Sequence, residues 1–291
     1  MNGREEVKEV QEVNEVEEKK ENVAAFFDLD GTLIPLPSLE VRFFSLLRYQ
    51  RAIGIRNYLA WIAEALRLLP SGVNQILHAN KMYLRGGRTD IPVCLFLTDQ
   101  PSEIRISQRQ TRMPVPLFPE AIERIAWHAE RSHLLVIVSG TLEPLAQRAA
   151  RAMETELQAR GLKNQIRVYA TQLEVKNEAW TGKIVGEAMF GEAKARAIRR
   201  FAATEDLNLR RCFAYGDTAN DKWMLDAVGK PAAVNPTNDL ARIARRNEWA
   251  VLWWRKEKAS TQRTHSSQRS RRKNESDGAL QAVRAKLEFR A

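Results

Sequence analysis

Five consecutive apolar residues, Val23 to Phe27, run straight into Asp28-Leu-Asp30-Gly-Thr32. A run that is apolar on both faces and stops at polar and glycine residues reads as a strand buried in a parallel sheet. Side chains two apart in an extended segment leave the chain on the same side, so Asp28 and Asp30 share a face. Two carboxylates about 4 Å apart repel by roughly 4 kcal/mol at an effective dielectric of 20. The pair therefore needs a cation, a shared proton, or both.

Four further segments have the same buried-strand character. Leu134 to Val138 ends in Ser139-Gly140-Thr141, and Cys212 to Tyr215 ends in Gly216-Asp217; Ala232 to Pro236 and Ala250 to Trp254 follow. Between them lie helical patterns. Ile122, Ile125, Ala126 and Ala129 form one stripe, and helices are expected over 143–160, 192–203, 218–228 and 238–247. Alternating strands and helices predict an α/β fold, a doubly wound parallel sheet. Ligands bind beyond the carboxyl ends of strands in such sheets. Residues 35–112 interrupt the alternation with Leu, Arg and aromatic residues, among them Phe43, Phe44, Tyr58, Trp61 and Leu66. This is the composition of a helical cap inserted after the first strand. The predicted organisation is a core of 23–34 and 113–254, a helical cap over 35–112, and two tails.

The tails carry opposite charge. Residues 1–22 hold four Lys/Arg against eight Asp/Glu, and residues 255–291 hold eleven against four, within a chain of formal net charge +10. The short valine stripe of residues 1–22 has no partner to hold it, so that tail is expected to be disordered; residues 255–291 are expected to be mostly disordered, with 279–291 able to form a short basic amphipathic helix. The basic tail, with Arg269, Arg271, Arg272 and Lys273, is suited to weak contact with a polyanion or a membrane surface. It lacks interleaved aromatics, so no specific nucleic-acid binding is expected. No apolar run approaches the roughly 20 residues that span a bilayer, and the acidic N-terminal segment is unlike a secretory signal. The two cysteines, Cys94 and Cys212, make no disulfide framework. The expected location is cytoplasmic.

Asp217 and Asp221 lie four apart at the start of an expected helix, which puts them on one side of it. Any single aspartate at such a place serves as a helix cap or turn residue. Four of them gathered at one sheet edge, with no histidine or cysteine, are hard oxygen ligands of the kind that suits Mg²⁺. Lys194 falls on the same helix face as Ile198 and Phe201, an inward position that either meets an anion or snorkels outward. Ser139 and Gly140 offer a hydroxyl and an unobstructed N–H, suited to phosphate oxygens and equally common in turns.

The order Asp28-Leu-Asp-Gly-Thr32, Ser139-Gly-Thr, Lys194, Gly216-Asp-Thr-Ala-Asn-Asp221 resembles the four motifs of the haloacid dehalogenase superfamily. The segment from Gln172 to Lys194 and the position of the insertion resemble its phosphoserine-phosphatase-like branch. The resemblance covers about residues 23–254. It implies a Rossmann-like core and a Mg²⁺-dependent phosphatase that hydrolyses a small phosphomonoester through an aspartyl phosphate. It implies that Asp28 is the nucleophile and Asp30 the acid and base. Thr32, Ser139, Gly140 and Lys194 would bind the phosphoryl group. The metal would be held by the Asp28 and Asp217 carboxylates and the Asp30 backbone carbonyl, with Asn220 and Asp221 supporting. Two alternatives remain open: a phosphotransferase using the same aspartyl phosphate, and a monoesterase for a lipid-derived phosphate brought to a membrane surface by the basic tail. Phosphoserine enzymes hold the substrate amine with an acidic residue soon after the first motif. Here Glu40 is the nearest candidate, displaced and flanked by apolar residues.

Overall fold

The computed structural model describes residues 22–72, 76, 78–89 and 115–255. The expectations for the two tails, and for the far part of the insertion, lie outside the described residues.

A six-stranded parallel sheet organises the chain, in the order β3-β2-β1-β6-β7-β8. Its strands are β1 (Ala24–Phe27), β2 (Leu134–Leu142), β3 (Ile166–Thr171), β6 (Phe213–Gly216), β7 (Lys230–Val234) and β8 (Ala250–Leu252). Alternation along β1 divides the core in two. Ala25 and Phe27 enter one apolar cluster, Ala24 and Phe26 the other. The first cluster is completed by Ile122 and Ile125 of α3 (Pro119–Glu130) and by Leu145, Ala149 and Met153 of α4 (Glu143–Ala159). The second is completed by Ile198 and Phe201 of α5 (Glu192–Thr204), Met224 and Leu225 of α6 (Lys222–Asp226), and Leu240 of α7 (Asn238–Arg246). Helices therefore cover both faces, which is why β1 reads as continuously apolar rather than alternating. Phe26 meets Phe201 edge-on at 5.9 Å and Phe27 stacks on Tyr215 at 4.8 Å.

Two features depart from the expected elements. The helix expected over 218–228 is a short 3₁₀ turn, Ala219–Asp221, followed by α6. The Asp221 side chain accepts from the Thr218 N–H and hydroxyl, and this capping arrangement tightens the first turn. Three strands were not expected. In β3, at the sheet edge, exposed Arg167 follows buried Ile166 and breaks the apolar run. β4 (Leu173–Lys176) and β5 (Ala179–Ile184) form a separate antiparallel hairpin. Its turn residues Asn177 and Glu178 both have positive φ, 50° and 60°, as a tight two-residue hairpin turn requires.

Between β1 and α3 the chain builds α1 (Leu39–Tyr49), α2 (Ile55–Leu68) and short 3₁₀ turns. Ser38 caps α1, accepting from the Val41 N–H at 3.3 Å. Leu39, Phe43, Leu46 and Leu47 turn its apolar face inward, and Phe43 packs edge-on against Trp180 of β5 at 6.1 Å. The hairpin also binds the returning chain: Gly86 N–H donates to the Trp180 carbonyl at 2.8 Å, and Trp180 N–H to Gly87 at 2.9 Å. In contrast, α2 has no fully buried residue.

Candidate active site

The sheet reverses winding direction between β1 and β6: the chain leaves β1 for β2 on one side and later returns to β6 on the other. Such a switch point leaves a crevice beyond the strand ends. Asp28 follows β1 and Asp217 follows β6, so the crevice receives one carboxylate from each side. The ladder continues one step beyond β1, with Asp28 N–H donating to Tyr215 at 2.9 Å. The chain then turns back on itself, Leu33 and Ile34 N–H both reaching the Leu29 carbonyl at 2.9 Å. Gly31 sits in this turn at φ +88°, and a Cβ there would lie 2.0 Å from Asp217 Oδ2. Only glycine allows the two loops to close so tightly.

Carboxylate oxygens of Asp28, Asp217 and Asp221 lie within 4.8 Å of one another, all buried. Lys194 enters this nest from the first turn of α5. Its Nζ donates to Asp28 Oδ1 and Asp221 Oδ1, each at 2.6 Å. Asp221 Oδ2 is occupied by the Asp217 N–H at 3.2 Å and the Thr218 N–H at 3.0 Å. Gly216 makes room for Asp221, since a Cβ at Gly216 would come within 2.5 Å of the Asp221 Cβ.

Three carboxylates against one ammonium leave the nest with excess negative charge in a buried setting. Burial pushes the Asp28 carboxyl up to about 7, with Lys194 opposing the rise. Burial, then the charges of Asp28 and Asp221, push Asp217 up to about 9. Burial alone would pull the Lys194 ammonium down, but the Asp221 and Asp28 carboxylates hold it above its ordinary value. A hard divalent cation fits this donor set and supplies the missing positive charge.

Asp30 stands apart from the triad. Its Oδ1 accepts from the Leu39 N–H at 2.8 Å, and its Oδ2 accepts from the Thr141 hydroxyl. Burial raises its proton affinity, while those two hydrogen bonds lower it. Thr141, the third residue of Ser-Gly-Thr, thus orients Asp30; sequence reasoning gave it no role of its own. Ser139 and Gly140 lie at the end of β2, where the register with β3 shifts between Ser139 and Leu142. Ser139 still pairs with Ala170, the ladder skips Gly140 and Thr141, and all three line the crevice. The Gly140 carbonyl is tied down by the Thr171 hydroxyl at 2.8 Å.

A cavity of about 660 Å³ opens above the nest, and Asp28, Asp30, Ser139, Gly140, Lys194, Asp217, Asn220 and Asp221 all line it. Thr32 does not: it is fully buried, with no hydrogen-bond partner for its hydroxyl among the described residues. The cap supplies the opposite wall. There, Glu40 Oε1 accepts from Lys81 Nζ at 2.5 Å and from the Tyr83 hydroxyl at 2.8 Å. Burial, reinforced by Glu40, holds the Tyr83 hydroxyl well above its ordinary value, so it stays a donor. Of this cluster only Glu40 was visible beforehand. Lys81 and Tyr83 lie some forty residues on and carry no local signal.

Sheet order, switch point and acid nest define the class: a doubly wound α/β core with a carboxylate site suited to a divalent cation at its carboxyl edge and a helical cap above it. Residues 25–226 match the haloacid dehalogenase-like hydrolase family, and the chain belongs to that family. A probable phosphatase of Mycobacterium tuberculosis is 30% identical over 237 residues, covering 80% of this chain and 76% of the relative. A phosphoserine phosphatase of the same organism is 28% identical over 238 residues, covering 78% and 70%. The inhibition of morphological differentiation protein of Streptomyces azureus is 32% identical over 237 residues, covering 79% and 77%. A Bordetella pertussis protein of unknown function shares the fold, with a TM-score of 0.56, 24% identity, and coverage of 80% of this chain and 98% of that one. The chain is thus a hydrolase of this family, similar to proteins named as a probable phosphatase and a phosphoserine phosphatase. Among the described residues no helix is long and apolar enough to cross a membrane.

Proposed function

We propose that this protein hydrolyses a phosphomonoester in two steps through an aspartyl phosphate on Asp28. The observation that carries the reading is the nest itself, in which the Asp28 carboxylate, held by Lys194 at 2.6 Å, faces an open cavity. Mg²⁺ would be held by the Asp28 and Asp217 carboxylates and the Asp30 backbone carbonyl, with Asp221 beside them and Asn220 at the wall. When bound, it supplies positive charge for the phosphoryl oxygens and for the crowded carboxylates.

The chain's own groups divide the remaining work. Asp28 attacks phosphorus while Asp30, oriented by Thr141 and the Leu39 N–H, gives its proton to the departing alkoxide oxygen. Asp30 then takes a proton from water, and the hydroxide formed attacks the phosphorus of the aspartyl phosphate. The P–O bond to Asp28 breaks, inorganic phosphate leaves, and Asp30 is again protonated. Ser139, Gly140 and Lys194 hold the phosphoryl oxygens; in-line transfer needs mainly this positioning and charge stabilisation. The enzyme works in the cytoplasm on this reading.

Phosphate release from a panel of monoesters, with Mg²⁺ and with a chelator, tests it. The expected result is release with Mg²⁺ that stops on chelation and returns when Mg²⁺ is added back. Equal release in excess chelator contradicts the metal assignment, and no release from any monoester contradicts the reading as a whole.

A further inference from the structure

The two ends of the cavity differ sharply in chemistry. At the sheet edge lie the nest and the phosphate-binding groups. On the cap side the described wall contains one carboxylate, Glu40, and one ammonium, Lys81, and these pair with each other at 2.5 Å. Lys81 is 3% exposed, so the pair is formed inside the protein and is little screened. Glu40 Oε1 takes the Tyr83 hydroxyl as well. The rest of the insertion's lining is mostly apolar, with Phe44, Tyr58 and Trp61, and Leu36 and Val41 toward the outside; Ser38 and His78 are its other polar members, His78 stacking on Phe190 of the core at 3.8 Å. Leu36 and Val41 are 55% and 52% exposed although both line the cavity, so the apolar surface continues out to solvent.

Among the described residues, this wall offers a leaving group's ammonium no carboxylate other than Glu40. The carboxylate it would seek, Glu40, is already neutralised by a buried lysine in contact with its Oε1. A leaving group that is uncharged and apolar loses nothing polar on entry and gains burial against the aromatic side chains. The volume is also far larger than a serine side chain needs and falls within the range of drug-sized ligand sites.

We infer that the substrate is the phosphomonoester of an uncharged, apolar alcohol, long enough to reach from the nest to the rim at Leu36 and Val41. The inference rests on the phosphatase reading above and specifies what that site accepts. The Glu40–Lys81 pair acts as a selectivity element: it fills the position where an amino alcohol would otherwise be recognised. Trp61 and Phe44 supply the surface on which the chain of the alcohol lies.

The test is a series of straight-chain alkyl phosphates, ethyl to octyl, kept below their aggregation concentrations, alongside serine phosphate and ethanolamine phosphate. The full chain with Mg²⁺ is used throughout. Full burial of a methylene corresponds to about fourfold in kcat/KM, so a rise of about two- to fourfold per methylene is expected over several members. Octyl phosphate is then expected to exceed serine phosphate by roughly 100-fold. Trp61→Ala should flatten the slope of the series. Lys81→Met, which frees Glu40, should raise ethanolamine phosphate relative to octyl phosphate about tenfold or more. If Lys81→Met does not fold, the wild-type series and Trp61→Ala still decide the matter. A flat or falling series, or serine phosphate equal to octyl phosphate, overturns the substrate class and leaves the phosphatase reading standing. Absence of phosphate release from every monoester overturns the phosphatase reading, and the substrate class with it.

Discussion

The cavity's two walls are built by opposite means. On the sheet side, most of the working side chains are fixed by named partners: Lys194 by two carboxylates, Asp30 by Thr141 and Leu39, Asp221 by two backbone N–H groups. On the cap side, α1 is anchored by Phe43 and Leu47, whereas α2 lends Tyr58 and Trp61 to the cavity without burying any residue fully. Its outer stripe, Ile55, Leu59, Ile62 and Leu66, is exposed. The lesson is a division of labour. A reaction needs its charges held to fractions of an ångström, while discrimination among apolar leaving groups needs only a surface of the right kind. Changes on the sheet side should therefore affect every substrate alike, and changes on the cap side should alter ratios between substrates.

The strongest way to break this comparison is Asp28→Asn. It should lower turnover by at least about 10³-fold on every monoester, leaving the circular dichroism spectrum and melting cooperativity unchanged. Turnover retained on long-chain substrates alone would mean the two walls are not independent. Lys194→Met comes next. It should cost about 10²–10³-fold in kcat and, by leaving two buried carboxylates unpaired, about 3–5 kcal/mol of stability in chelator. Added Mg²⁺ should recover more stability for this variant than for wild type, as denaturant melts with and without the ion would show.

A smaller effect arises beneath the sheet wall. His128 is buried, with Nε2 2.9 Å from the Tyr215 hydroxyl and Nδ1 2.7 Å from His133 Nδ1. Burial, then His133, lower His128 from 6.5 to about 3. The folded state thus holds it neutral while the unfolded chain takes up a proton below about 6.5. The stability it supports is complete above that pH and falls as pH drops toward about 3, by up to about 1.4 kcal/mol per unit. His128→Phe should flatten that slope in urea melts between pH 6.5 and 4. At the bottom of the scale, Ile62→Gln on the outer stripe of α2 should shift stability by no more than about 0.5 kcal/mol and leave serine phosphate hydrolysis unaltered. A larger effect would show that α2 is held more firmly than its exposure indicates.

How far the sequence could be read follows the same division. The core strands flanking the site were legible because burial on both faces forces an unbroken apolar run ending in polar residues, as at Phe27-Asp28 and Tyr215-Gly-Asp217. β3 was not, because an edge strand with Arg167 exposed loses that signature. The β4–β5 hairpin lies outside the main sheet, with two of the four β4 residues exposed. The carboxylates could be foreseen as a group from their places at strand ends. The four-residue spacing of Asp217 and Asp221 already put them on one side of the chain; what it did not foresee is the 3₁₀ turn, in which Asp221 Oδ2 takes the Asp217 and Thr218 N–H groups while Oδ1 meets Lys194. The Glu40–Lys81–Tyr83 cluster is purely tertiary, made when the chain returns over α1 and is tied to the hairpin through Gly86 and Gly87.

The central claim is that Asp28 takes the phosphoryl group, and chemical trapping addresses it most directly. Enzyme mixed with Mg²⁺ and a turning-over monoester, then quenched with borohydride, should carry homoserine at position 28, because hydride reduces an acyl phosphate and leaves a free carboxylate untouched. Peptide mapping that finds homoserine at 28, and none in enzyme quenched without substrate, is the predicted result. Full turnover with an unmodified Asp28, or homoserine at another aspartate, would contradict the account.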